Sequence, residues 1–132
     1  MTSEAKAVKA LLNQLTASPL QRFPNPRQRL VAPFDPGVYV IYDPGGDVSH
    51  VGRTPSGRGG LHQRLRNHLH GASSFTRGYL NGQGSKLREG YAYRCLIIAD
   101  PRLRALLEAY AIGCLCPAHL GLSRRRGGEL TP

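Results

Sequence analysis

Residues 35–54, DPGVYVIYDPGGDVSHVGRT, decide the fold. Val38, Val40 and Tyr42 alternate with Tyr39 and Ile41, the period of a strand with two usable faces. Asp43-Pro44-Gly45-Gly46-Asp47 is turn chemistry, with proline presetting φ and glycine tolerating positive φ. Val48 to Arg53 returns as the second strand of an antiparallel hairpin. The hairpin sets Tyr39 after Gly37 and His50 before Gly52. Packing alone accounts for the glycines and the tyrosine unless other chemistry converges on the same strands.

Working outward, residues 3–17 carry Val8, Leu11, Leu12 and Leu15 at helical spacing, with Ser3 and Glu4 suited to a helix start. The Pro-rich segment 18–36 excludes regular helix and predicts a wrapping segment leading into the first strand. Its Arg22, Arg27 and Arg29 read as solvated linker charge that adds to a basic surface. After the hairpin, Leu61, Leu65 and Leu69 form the buried stripe of a helix over 61–70 that Gly71 ends. Arg64 and His68, four apart, share one adjacent face of it. Residues 71–90 predict a long loop with a short helix near Phe75–Leu80, and loops of that length usually carry function. Tyr91–Ile98 is a third strand whose apolar close suits a central position. Asp100-Pro101 starts a last helix with Leu103, Leu106, Leu107, Tyr110 and Cys114 as its apolar stripe. The expected fold class is α/β of the α+β type, a central three-stranded antiparallel sheet flanked by helices. One domain covers 1–132, with a core over 34–120 and a basic flexible tail over 123–132 whose Arg124–Arg126 are free to touch phosphates.

Charge indicates the partner. The chain holds 18 Lys plus Arg against 8 Asp plus Glu, a net +10, and 15 of the 18 are Arg. Arginine grips phosphate oxygens through a planar fork, so a polyanion, most often nucleic acid, is the natural partner. No apolar run reaches the ~20 residues of a membrane span. Three cysteines, with no export signal, suggest reduced thiols in a cytoplasmic setting.

Glu108 is a lone carboxylate in a chain built to attract anions, the arrangement expected of a Mg²⁺ site completed by water and substrate phosphate. An i, i+4 salt bridge from Arg104 is the structural alternative. Arg64 with His68 suits phosphate binding beside a proton-transfer group, or else a solvated helix face.

Taken in order, Gly37-Val38-Tyr39, His50-Val51-Gly52-Arg53-Thr54, Arg64-Leu65-x-x-His68 and Leu107-Glu108 resemble the signature set of the GIY-YIG nuclease superfamily. By that resemblance Tyr39 matches the tyrosine of the first signature and Gly52 the glycine of the second. Arg64 matches the phosphate-contacting arginine, His68 the accessory histidine and Glu108 the metal ligand. The resemblance implies a magnesium- or manganese-dependent endonuclease hydrolysing phosphodiesters, with DNA favoured over RNA. Two positions depart from the pattern. His50 stands where the family has its second tyrosine and could itself serve as base. No Asn follows Pro117, where His119 is the available substitute. Gly52, Arg53, Arg58 and His119 are the candidates for substrate contact. A single site cuts one strand at a time, so double-strand cleavage needs successive nicking or a partner, a homodimer or an accessory protein. Two alternatives compete: a non-catalytic nucleic-acid-binding module on the same fold and, more weakly, a zinc site at Cys114, Cys116 and His119.

Overall fold

The computed structural model describes residues 1–55 and 58–120; Ser56 and Gly57 of the 53–60 loop, and the tail with Arg124–Arg126, lie outside them. The described elements are helix α1 (Ser3–Ala17), strand β1 (Gln21–Arg22), the hairpin β2 (Gly37–Tyr42) and β3 (Val48–Arg53), helices α2 (Gly60–Leu69) and α3 (Ser74–Tyr79), a 3₁₀ turn (Gly84–Arg88), strand β4 (Ala92–Ile97) and helix α4 (Pro101–Leu115). The sheet is antiparallel and four-stranded, in the order β1-β4-β2-β3. The three-stranded expectation is therefore corrected. β1 comprises two residues of the wrapping segment, pairing Gln21 with Tyr93 and Arg22 with Ala92, too short to show any period of its own.

β2 is buried on both faces, which explains its nearly unbroken apolar sequence. Tyr39 and Ile41 face one layer, where Leu61, Leu65 and Leu69 of α2 meet Phe75, Leu80 and Leu87. Val38 and Val40 face the other, packed on Val8 and Leu15 of α1 and on Leu107 and Ala111 of α4. The sheet thus lies between two helical layers.

The hairpin turn closes as its composition dictates. Asp43 Oδ1 accepts from the amides of Gly45 and Asp47, both at 2.9 Å. Helix α1 is capped one residue earlier than Ser3, by the Thr2 hydroxyl accepting from the Ala5 amide. Helix α2 lacks a side-chain cap, and the wrapping segment supplies one. Its Pro33 and Asp35 carbonyls accept from His62 N at 2.7 Å and Leu61 N at 2.9 Å. Segment 18–36 therefore orients α2, and with it Arg64 and His68.

Helix α4 begins as expected, with the Asp100 carboxylate accepting from Arg102 N and Leu103 N. Its stripe is rotated from the expected one. Leu107 and Ala111 are buried with Arg104, while Tyr110 and Cys114 are exposed. Arg104 turns inward because its Nη1 donates to the carbonyls of Ile98 (3.0 Å) and Ala99 (2.8 Å). Beyond α4, the amides of Ala118 and His119 donate to the Val48 and Ser49 carbonyls, covering the outer edge of β3. No helix among the described residues is long and apolar enough to cross a membrane.

The β2–β4 approach gives a direct test of this register. A Cβ on Gly37 would overlap the Leu96 carbonyl oxygen and lie 2.8 Å from Leu61 Cδ1. Gly37→Ala is expected to cost about 1–3 kcal/mol by overpacking, read as a lower urea midpoint with unchanged slope. An unchanged midpoint would contradict the register.

Candidate active site

The hairpin register assembles the site. Tyr39 pairs with Gly52 and Ile41 with His50, so Tyr39 and His50 project from the same face of neighbouring strands. Gly52 is required by close approach: any Cβ there would overlap the Tyr39 Oη and Cζ. The phenol crosses the missing side chain toward α2 and forms a 2.6 Å hydrogen bond with His68 Nε2.

The direction of that bond follows from its supports. Thr76 Oγ1 donates to the His68 carbonyl at 2.8 Å, so it can accept the Ser73 hydroxyl proton at 3.1 Å. Ser73 Oγ is then an acceptor for the Thr76 amide (3.1 Å) and for His68 Nδ1–H (2.5 Å). His68 is therefore protonated at Nδ1 and bare at Nε2, and Tyr39 donates to it. For a neutral imidazole all five bonds are satisfied only in this arrangement. The lone pairs of the phenol oxygen are left for other partners.

Both members of the pair are fully buried and electrically neutral. Burial raises the Tyr39 pKa well above the ordinary phenol value, against the opposing pull of Arg64 beside it. Burial, together with His50 and Arg64, lowers that of His68 to about 2. The solvated-face alternative for His68 is thereby excluded. His50, half-buried, is lowered to about 3, first by desolvation and then by His119 and Arg64. Its ring stacks on Phe75 at 4.7 Å between centroids and meets the rings of His68 and His119 at 5.2 Å each. His50 Nδ1 and His119 Nδ1 lie 3.2 Å apart, so one donates to the bare nitrogen of the other. His119 thus stands in the site, carried there by the segment that covers the β3 edge.

Glu108 pairs with Arg53, Nη1 to Oε1 at 2.9 Å, with 23% of the Glu108 side chain exposed. The alternative partner, Arg104, is committed to backbone carbonyls instead. Burial raises the Glu108 pKa, and Arg53 and Arg64 oppose the rise. Arg53, expected as a free substrate contact, has its charge engaged by this carboxylate. Arg64 Nε is buried with no hydrogen-bond partner among the described residues. Arg64 and Arg58 line one cleft of about 150 Å³ with Thr54 and Asn67. An orphaned guanidinium nitrogen beside a second arginine, with no carboxylate in the cleft lining, suits a phosphate oxygen.

Among the described residues no group of three His, Cys, Asp or Glu side chains could hold a metal ion. Cys114 and Cys116 are exposed thiols, and His119 is turned toward His50. The Glu108 carboxylate retains Oε2 without a hydrogen bond among the described residues, which fits a hard divalent cation held mainly through water and substrate. Ser73, Thr76 and Phe75 are site residues that sequence reasoning missed. Their signals were a Ser-x-x-Thr helix start and a long loop, neither of which names a partner. No protein-family model matches the chain, and no curated protein matches it in sequence.

The buried neutral imidazole has a consequence for stability. His68 stays neutral when folded but protonates in the unfolded chain below the ordinary value of 6.5. The unfolded state then binds the extra proton, so the His68 contribution to stability falls as pH drops below 6.5, by about 1.4 kcal/mol per pH unit, and His50, itself lowered to about 3, adds a slope of like size. The melting temperature should decline between about pH 7 and about pH 5, and His68→Gln should remove much of that slope while lowering stability at neutral pH. An equal slope in the variant would show that His68 is not held neutral.

Proposed function

We propose that the protein is a metal-dependent endonuclease of the GIY-YIG type that hydrolyses phosphodiesters in nucleic acid, DNA in preference to RNA. The observation that carries this reading is the ring contact of Tyr39, His50 and His68 from three separate elements, with Arg64 and Glu108 close enough to act on Tyr39 electrostatically and Arg64 lining a phosphate-sized cleft. A protein that merely bound a polyanion would gain nothing from burying a carboxylate among arginines.

The roles follow from protonation. His50 is a neutral imidazole in contact with His119, and it takes the proton of the attacking water once the bound phosphate anion, by its opposite charge, raises the basicity that burial has lowered. Tyr39, whose own proton is held by His68, offers an oxygen lone pair that orients this water. The water oxygen forms the new bond to phosphorus as the opposite P–O ester bond breaks. Arg64, with Arg58, binds the phosphate and stabilises charge that grows on it. Arg53 holds the Glu108 carboxylate in place. Glu108 would hold Mg²⁺ or Mn²⁺, which when bound supplies Lewis-acid stabilisation of the phosphate.

One site cuts one strand at a time, so double-strand cleavage would proceed by successive nicking or through a homodimer or an accessory protein. The free thiols of Cys95, Cys114 and Cys116 suit a reducing compartment, and a cytoplasmic location is proposed with the activity.

The test is nicking of supercoiled plasmid with Mg²⁺ or Mn²⁺ and with EDTA. Glu108→Gln is expected to reduce metal-dependent nicking by about 100-fold or more, while gel-shift affinity stays level or rises. Binding without cleavage by the native chain would replace the nuclease with a binding module on this fold. Equal cleavage by both proteins would remove Glu108 from the reaction.

A further inference from the structure

The face of α2 opposite Arg64 and His68 carries a second constellation that the proposed reaction does not use. Phe34 is 69% exposed, yet its ring is ordered against His62, stacked at 4.4 Å between centroids and 19° between planes. The backbone caps on α2 hold the two rings together, since Pro33 and Asp35 on either side of Phe34 accept the first amides of α2. The rings border a groove of about 440 Å³ whose lining includes Arg29, Arg66, His70 and Arg88 and, among the described residues, no carboxylate. Arg88 is pinned by a 2.6 Å bond from Nη1 to the Pro24 carbonyl. A second groove, sharing Arg29 and Arg88, continues the basic surface to Arg22.

An exposed aromatic platform within a ring of cations is the arrangement that binds an unpaired base: the ring faces stack while the arginines follow the phosphates. A duplex offers phosphates to the arginines but keeps its bases stacked on one another, leaving the platform unused. The groove volume lies within the range of about 300–1,000 Å³ typical of small-molecule sites, enough for a single nucleotide. We propose that Phe34 and His62 form a stacking site for an unpaired nucleotide, with Arg29 and Arg66 on its backbone. This rests on the nucleic-acid reading of the chain and not on cleavage. The platform and the candidate active site lie on opposite sides of one helix, whose diameter of about 10–12 Å corresponds to roughly three nucleotides of a B-form strand. The preferred substrate is then one with a single-stranded segment a few nucleotides from the cut, such as a flap or a splayed arm.

Fluorescence anisotropy with a labelled oligo(dT) and with a duplex of equal length tests the proposal. Phe34→Ala and Phe34→Leu should each weaken oligo(dT) binding roughly tenfold and leave duplex binding within about twofold. The Leu variant keeps an apolar side chain and removes the ring, so a loss confined to Ala would indicate bulk rather than stacking and overturn the platform. Arg66→Gln should weaken both ligands and reduce the salt dependence by about one phosphate contact. Native binding of both oligonucleotides with no selective loss in either Phe34 variant would overturn the platform and leave the nucleic-acid reading intact. Binding of neither by the native chain would overturn both.

Discussion

The hydrogen bond from the Tyr39 phenol to His68 is the constraint on which the site depends. It joins the first strand of the hairpin to α2 through a buried, largely apolar layer, where an unsatisfied hydroxyl or imidazole nitrogen would cost about 1–3 kcal/mol each. Each neighbour is explained by it. Gly52 is glycine because the phenol occupies the volume of its side chain. Ser73 and Thr76 begin α3 where they do because their hydroxyls close the chain back onto the His68 carbonyl. Such a chain cannot be half made, because removing any member leaves a buried polar atom without a partner. The chemistry at this point is accordingly fixed by the fold.

Around that neutral centre the charges are arranged by opposition. Arg53 answers Glu108, while Arg64 has no carboxylate of its own at hydrogen-bonding distance and a buried nitrogen still unpaired. Two imidazoles, His50 and His68, feel the charge of this arginine, His119 lies against His50, and all three are held below their ordinary pKa. Cationic imidazoles there would compete with Arg64 for the same anion and repel it. Keeping them neutral leaves Arg64 as the anion contact and His50 as a proton acceptor.

Much of this was legible in the sequence where the signal is local. The alternation of residues 37–42, the Asp-Pro-Gly-Gly-Asp turn, the leucines of α2 and the Asp100-Pro101 helix start each encode their element within a few residues. What escaped depends on partners distant in the chain. β1 is two residues that become a strand only by lying against β4. The i, i+4 spacing of Arg104 and Glu108 suggested a pair, but Arg104 finds the Ile98 and Ala99 carbonyls and Glu108 finds Arg53, 55 residues away. Ser73 and Thr76 looked like ordinary loop residues because their value lies in which nitrogen of His68 they leave bare.

The central claim is that His68 is a neutral imidazole protonated at Nδ1, with its bare Nε2 accepting from Tyr39. Nitrogen-15 NMR of labelled histidine distinguishes the two ring nitrogens and their protonation directly. The expected spectrum has one pyrrole-like and one pyridine-like nitrogen for His68, with a cross-peak pattern placing the proton on Nδ1, unchanged from about pH 7 to about pH 4. Conversion to imidazolium near the ordinary value of 6.5, or a proton on Nε2, would contradict the account.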